Sequence, residues 1–332
     1  MGAALRSGTR GLGTGSGATG RLYTAGRLQE NMKRSILVAL ALVALAVSSM
    51  AQDPPDGHAV HSEAGPQPAW TLGSGRTLWL FPVGDVYRPY IADPHRPVTA
   101  VMAMFYTRTG IYDSTNVRTA LNMGGRFGLL RLDPASPGGR SWQLSIDASY
   151  NAQFDSNEKL DNIGWDGKYG LTLTTASGGP LSFKVAILHD SAHIGDEYAE
   201  RTGRTRIDYT REELIFGLAV RPARGWRVYS DVGHGHYLLT EEQKPWRAQG
   251  GVEYTTRHTL LGGRFAWYAA VDFSGTEERD WRLDTAVQTG LTATSGGRRW
   301  RLGVEYVDGR PPMGEFFQDT EAWFALGLWI DL

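Results

Sequence analysis

Residues 141–155 read SWQLSIDASYNAQFD. Trp142, Leu144, Ile146, Ala148, Tyr150, Ala152 and Phe154 fall on one side of an extended chain, and Gln143, Ser145, Asp147, Ser149, Asn151 and Gln153 fall on the other. A strand in a soluble domain runs about 5–6 residues, whereas a tilted membrane-spanning strand needs about 9–11. A period of two sustained over fifteen residues therefore points to a membrane barrel rather than to a soluble sheet.

The pattern recurs. Trp165, Tyr169, Leu171 and Leu173 oppose Asp166, Lys168, Thr172 and Thr174, and Phe265, Trp267, Ala269, Val271 and Phe273 oppose Arg264, Asp272 and Ser274. Trp281, Leu283, Val287 and Leu291 alternate with Arg282, Asp284 and Gln288, and Trp300, Leu302, Val304 and Tyr306 with Arg299, Arg301 and Glu305. Twelve such segments begin near Val98, Thr115, Ser141, Ile163, Leu181, Arg206, Trp226, Trp246, Arg264, Trp281, Arg299 and Glu321. An even count with apolar residues outward and charges inward predicts an all-β fold, a transmembrane antiparallel up-and-down β-barrel of about 12 strands over 98–332. The last segment places Phe324, Leu326, Leu328, Ile330 and Leu332 outside, a terminal signal of the kind read by barrel-assembly machinery. With 11 Trp and 14 Tyr the chain has material for two aromatic girdles.

Turn chemistry gives an independent check. Pro134 to Arg140, Ser177 to Pro180, Pro222 to Gly225, His258 to Gly263 and Ser295 to Gly297 read as short periplasmic turns. Ser156 to Asp161, Ala192 to Thr205, Thr240 to Pro245, Gly275 to Asp280 and Arg310 to Thr320 are more charged and often longer, as extracellular loops are.

Ahead of the barrel, residues 1–31 are Gly-rich without apolar periodicity and read as an upstream mis-start of translation or a disordered extension. Residues 32–51 read as a signal peptide: Met32, Lys33 and Arg34 precede an apolar run from Ile36 to Val47, and Ser49-Met50-Ala51 predicts cleavage after Ala51. Residues 52–77 read as a flexible linker. The segment 78–97 carries four prolines and no alternation, and is expected as an ordered periplasmic lead-in that packs under or into the barrel mouth. The predicted location is the bacterial outer membrane.

The 34 basic and 35 acidic residues give a net charge of -1, so nucleic acid is not an expected partner, and outer-membrane lipids are. The absence of cysteine excludes disulfides, thiolate metal sites and a cysteine nucleophile. Gly15, Gly17 and Gly20 have dinucleotide-fingerprint spacing but follow no strand and open no helix, so no nucleotide is expected.

Candidate chemistry gathers in LSFKVAILHDSAHIGDEY, residues 181–198. Leu181, Phe183, Val185 and Ile187 form one apolar stripe, and His189 and Ser191 continue the same face. At about 2.3 Å of climb per tilted residue, Leu181 to Ser191 spans an apolar band of about 25 Å, which puts His189 and Ser191 on the outer wall at the outer-leaflet rim. In the following segment Leu214, Phe216, Leu218 and Val220 face outward, with Glu212, Thr210 and Asp208 in phase. Aligning the two stripes sets Glu212 beside His189; a four-residue shear would set Asp208 there instead. Serine, histidine and carboxylate together suit acyl transfer, the imidazole activating the hydroxyl and the carboxylate steadying the imidazolium. His193, Asp196 and Glu197 form a weaker candidate calcium set, brought together only if the chain bends at Gly195.

On His189-x-Ser191 the chain resembles outer-membrane phospholipase A and the smaller lipid A deacylase barrels, whose families place such a pair on the lipid-facing wall. The Asn-Gly that follows the serine in the phospholipase family is replaced by Ala192-His193. Over most of the mature chain it resembles a bacterial family named domain of unknown function 1207. That likeness rests on Phe81-Pro82, Ile91-Ala92-Asp93-Pro94, His189-x-Ser191-x-His193-x-Gly195-Asp196-Glu197 and Arg211-Glu212-Glu213, and it implies a barrel without implying an activity.

The competing reading is a narrow pore, or a structural or binding barrel. Its inward Asp147, Lys168, Arg247, Glu253, Asp272, Arg282, Asp284, Arg299, Arg301 and Glu305 would form a lumen network. His234 and His236, in phase with Val228 and Val232, lie near the same rim as second contributors or as interfacial residues without a role.

Overall fold

The computed structural model describes residues 69–111, 116–136, 138–257 and 260–332. The expected extension, signal peptide and cleavage site, together with linker residues 52–68, lie outside the described residues. Fourteen strands form one antiparallel sheet. Two short ones come first, β1 (Ala69–Thr71) and β2 (Thr77–Leu80). Then follow β3 (Thr99–Arg108), β4 (Val117–Asp133), β5 (Arg140–Asp155), β6 (Asp161–Ser177), β7 (Leu181–Ile194) and β8 (Thr210–Val220). The chain ends with β9 (Trp226–Leu238), β10 (Trp246–Thr255), β11 (Ala266–Thr276), β12 (Asp284–Ser295), β13 (Arg298–Gly309) and β14 (Glu321–Asp331). Each of β3 to β14 pairs with its neighbours in sequence, and β14 returns to β3, so twelve strands close into a barrel.

The outer wall is apolar. Leu171, Leu173, Phe183, Val185, Ile187, Phe216, Leu218, Val304 and Phe324 are all exposed, a continuous greasy surface that water would not tolerate and a bilayer requires. Trp142, Trp226 and Trp267 are exposed at the turn end of this band, and Tyr169, Tyr237 and Trp246 at its loop end.

Strand onsets depart most from expectation where a loop residue turns left-handed. Asp208 has φ 52°, and β8 begins at Thr210 rather than near Arg206. Asp280 and Trp281 have φ 51° and 58°, so β12 begins at Asp284 rather than at Trp281. For the same reason Arg282 is not part of the lumen network: it belongs to the loop before β12, where it donates 2.7 Å to Thr320 Oγ1.

The hairpin of β1 and β2 lies in the stretch expected as linker and lead-in. Its cause is the length of β4, whose seventeen residues outrun β3. Leu130 to Asp133 would present an unpaired edge, and Thr77 to Leu80 supplies the missing ladder.

From Phe81 the lead-in enters the lumen. Prolines at 82, 89, 94 and 97 keep it out of any ladder, so lumen side chains satisfy its backbone. Arg126 donates to the Tyr87 carbonyl at 3.0 Å, Arg227 to that of Arg88 at 2.7 Å and Arg301 to that of Ile91 at 3.3 Å, while Ile91 N donates to Glu253 at 2.7 Å. Tyr90 stacks on Tyr229 with ring centroids 3.6 Å apart and donates to Asp231.

Around this insert the lumen charges are paired: Arg126 with Asp147 at 2.9 Å, Lys184 with Asp231 at 2.6 Å, Lys168 with Asp190 at 2.5 Å, and Arg211 and Arg247 both with Glu213, at 2.9 and 2.8 Å. Under β3 and β14 the inner face is instead apolar, with Met102, Met104, Trp323 and Trp329 buried together.

Loops cover the other end. Helix α1 (Asp196–Thr202) buries Tyr198 edge-on against Phe316, with centroids 5.9 Å apart, and Ile207 N donates to Glu315 at 3.1 Å. The loop from 310 to 320 is pinned to the barrel where Gly314 N donates to Asp166 at 3.0 Å.

Candidate active site on the outer wall

β7 delivers its stripe as the period requires. Leu181, Phe183, Val185 and Ile187 are exposed, Ser182, Lys184 and Ala186 point inward and are buried, and His189 and Ser191 follow in the outward phase, half-buried. Register with β8 is unsheared: Ile187 faces Leu214, His189 faces Glu212 and Ser191 faces Thr210. Asp208 therefore stays in the loop, away from His189.

Glu212 Oε1 lies 3.3 Å from His189 Nδ1. Its other oxygen, Oε2, lies 3.3 Å from His236 Nε2. β8 and β9 slip register between Glu212, opposite Tyr237, and Glu213, opposite Gly235; without the slip His236 itself would face Glu212. His236 is the extra residue and keeps the outward phase of β9, and the bulge turns Tyr237 out beside it. His234 remains opposite Leu214 and packs edge-on against Trp246 at 4.6 Å, away from the carboxylate.

On the other side His189 stacks on Tyr169, its partner across β6, with centroids 4.5 Å apart at 22°. The ring is thus fixed by a stack and by a carboxylate on Nδ1, which leaves Nε2 as the nitrogen available to a hydroxyl. The Ser191 hydroxyl donates to the Gly167 carbonyl at 3.5 Å, a long bond to the opposite strand, and it makes no hydrogen bond to His189. Residues two apart on a strand have Cα atoms about 6.6 Å apart, so a contact between the hydroxyl and Nε2 would require rotation of the serine side chain and a shift of the imidazole.

Side-chain exposures of 19% for His189, 41% for Glu212 and 49% for His236 put the cluster at the surface of the wall. The ingredients legible in the one-dimensional pattern are His189, Ser191 and Glu212. Tyr169 carried no separate signal beyond its place in the β6 stripe, whereas His236 was legible as a second contributor from its phase with Val228 and Val232.

The calcium set does not assemble. His193 stacks on Trp165 with centroids 4.2 Å apart, and Asp196, in α1, pairs with Arg206. Among the described residues no group of three His, Asp or Glu is arranged to hold a metal ion. These residues do not fit calcium.

Comparison with known families decides the affiliation. The family model described as Protein of unknown function (DUF1207) matches residues 42–331. The chain belongs to the DUF1207 family. No curated protein matches it. Among solved structures this DUF1207 barrel is similar to outer membrane phospholipase A from Escherichia coli, at 11% identity and a TM-score of 0.48, covering 75% of this chain and 95% of that one. The NanC porin is similar at 12% identity and a TM-score of 0.40, covering 70% of this chain and 99% of the porin.

Proposed function

We propose that the protein is a bacterial outer-membrane barrel bearing a serine acyl-ester hydrolase site on its lipid-facing wall, acting on phospholipid or lipid A in the outer leaflet. On this reading the turn end is periplasmic, the loop end is extracellular, and the chain is exported with cleavage after Ala51. Its last strand is the signal read by the assembly machinery. The observation that carries the reading is the contact of Glu212 with His189 Nδ1 at the point where the greasy stripe of β7 ends, with Ser191 next in phase.

The chemistry follows from those positions. His189 Nε2 takes the Ser191 proton as Oγ bonds to the ester carbonyl carbon, and Glu212 stabilises the imidazolium. The imidazolium returns the proton to the departing alcohol oxygen as the acyl–oxygen bond breaks. A water activated by the same imidazole then releases the fatty acid and restores the serine.

An organophosphonate ester that phosphonylates activated serines tests this without knowledge of the lipid. Stoichiometric labelling of the refolded barrel at Ser191, lost in Ser191→Ala and strongly slowed in His189→Gln, is the expected result. Absence of labelling under lipid-containing conditions refutes the site. A second reading, a structural barrel without catalysis, is favoured by the lead-in that occupies the lumen and pairs with its arginines. It predicts neither labelling nor turnover, and negligible conductance in planar bilayers.

A further inference from the structure

The two ends of the barrel differ in surface charge. At the loop end exposed acids such as Glu158, Glu197 and Glu241 are interspersed with exposed Lys159, Arg201 and Lys244. At the turn end Arg88, Arg140, Arg221, Arg224, Arg264 and Arg298 are exposed, and among the described residues no exposed Asp or Glu stands with them. The carboxylates described at that end are half-buried and committed. Asp85 accepts from Gln143 at 3.2 Å, Asp133 from Trp79 and Ser141 at 2.8 Å each, and Asp331 pairs with Arg299 at 2.7 Å and Arg301 at 3.1 Å. Arg140, Arg224, Arg264 and Arg298 form no ion pair among the described residues.

Those four cations flank the aromatic girdle. Arg140, Arg224 and Arg298 stand two residues before Trp142, Trp226 and Trp300, and Arg264 stands three before Trp267. Girdle tryptophans sit at the level of the lipid headgroups, so a cation just beyond them meets phosphate. Arg140 and Arg298 open β5 and β13, and the two-residue period sets each on the outward face with its tryptophan. The Arg140 guanidinium lies over the ring of Phe183, 5.8 Å from its centroid, and Phe183 belongs to the lipid-facing stripe of β7. Arg299, the next residue along β13, is instead spent on Asp331. An arginine stem can lie along an apolar wall while its guanidinium grips a phosphodiester through two parallel donors. A zwitterionic headgroup brings its own ammonium to that phosphate, and a net-anionic one does not. A soluble acidic partner would instead meet cations that face the mouth, as Arg88 and Arg221 do in lining its vestibule.

We propose that the turn end of the outer wall is a collar for net-anionic phospholipid headgroups, with Arg140, Arg224, Arg264 and Arg298 as its phosphate donors. The collar requires the barrel to lie in a membrane and is independent of Ser191.

Electron spin resonance of the refolded full barrel in phosphatidylcholine vesicles tests it, with spin-labelled phosphatidylglycerol compared against spin-labelled phosphatidylcholine. Wild type is expected to hold the anionic probe about fivefold more strongly, the worth of one arginine contact at a membrane surface. The quadruple variant Arg140→Gln, Arg224→Gln, Arg264→Gln and Arg298→Gln is expected to bring the ratio close to one, and the loop-end control Arg206→Gln to leave it unchanged. Raising sodium chloride from about 0.1 M to about 1 M shortens the screening length from about 10 Å to about 3 Å and should shrink the wild-type preference, which tests the collar even if the quadruple variant does not refold. A wild-type barrel that inserts and shows no preference overturns the collar and favours a soluble acidic partner, and a preference that survives in the quadruple variant or in high salt overturns it too. A barrel that fails to insert, read from its tryptophan emission, contradicts the membrane placement itself.

Discussion

The lumen and the rim of β7 to β9 draw on the same residue types and use them in opposite ways. Inside, Arg118 and Glu321 are wholly buried and meet at 2.8 Å, and Arg126, Lys184 and Arg211 are committed in the same manner. At the rim, Glu212 is 41% exposed and shares its two oxygens between two imidazoles at 3.3 Å each. A buried pair cannot change protonation without leaving a bare charge in low dielectric, so it serves shape. A partly exposed histidine and carboxylate stay open to a substrate, so they suit chemistry. The molecule keeps its stability and its candidate reactivity on opposite faces of one wall.

That contrast breaks most visibly in the lumen. Arg118→Ala leaves Glu321 buried without its bidentate partner and is expected to lower unfolding stability by about 3–5 kcal/mol, read by denaturant titration in lipid vesicles. Next comes the lipid face: Phe216→Arg, in the middle of the β8 stripe, is expected to cost about 2–4 kcal/mol in the same assay, whereas a solvent-facing wall would show almost no change.

A smaller effect is expected at Asp85, in the lead-in, where burial pushes the carboxyl up to about 6. Because the folded value exceeds the unfolded one, near 4, the folded state holds the proton more tightly. Asp85 thus weakens the fold progressively as pH rises from about 4 to about 6, and fully above that. Asp85→Asn should gain about 1 kcal/mol on wild type at pH 8 and nothing at pH 3, a difference that a pair of unfolding curves would reveal. The smallest stability change belongs to the rim, where Glu212→Gln should shift unfolding by less than about 1 kcal/mol while slowing serine labelling severely.

Much of this was legible in the sequence because a barrel wall obeys a period of two. The onsets of β7, β9, β10 and β14 fall where the pattern puts them, and aligning the apolar stripes of residues 181–187 and 214–220 is enough to set Glu212 against His189. What escaped the pattern has no period. The hairpin of β1 and β2 exists only because β4 is longer than β3, which is a property of the partner strand. The course of the lead-in through the lumen depends on arginines far away in sequence, with only its prolines to say that it is not a strand. The outward turn of Tyr237 beside His236 comes from a one-residue slip that periodicity, by its nature, assumes away.

The most direct test of the account is fatty-acid release from phospholipid and from lipopolysaccharide by the refolded barrel, comparing wild type with Ser191→Ala, with and without calcium. Wild type is expected to release fatty acid without a requirement for calcium, and the release to disappear in a Ser191→Ala barrel of unchanged fold. Release that persists undiminished in Ser191→Ala, or no release from either lipid under any condition, would contradict a hydrolase site on the outer wall.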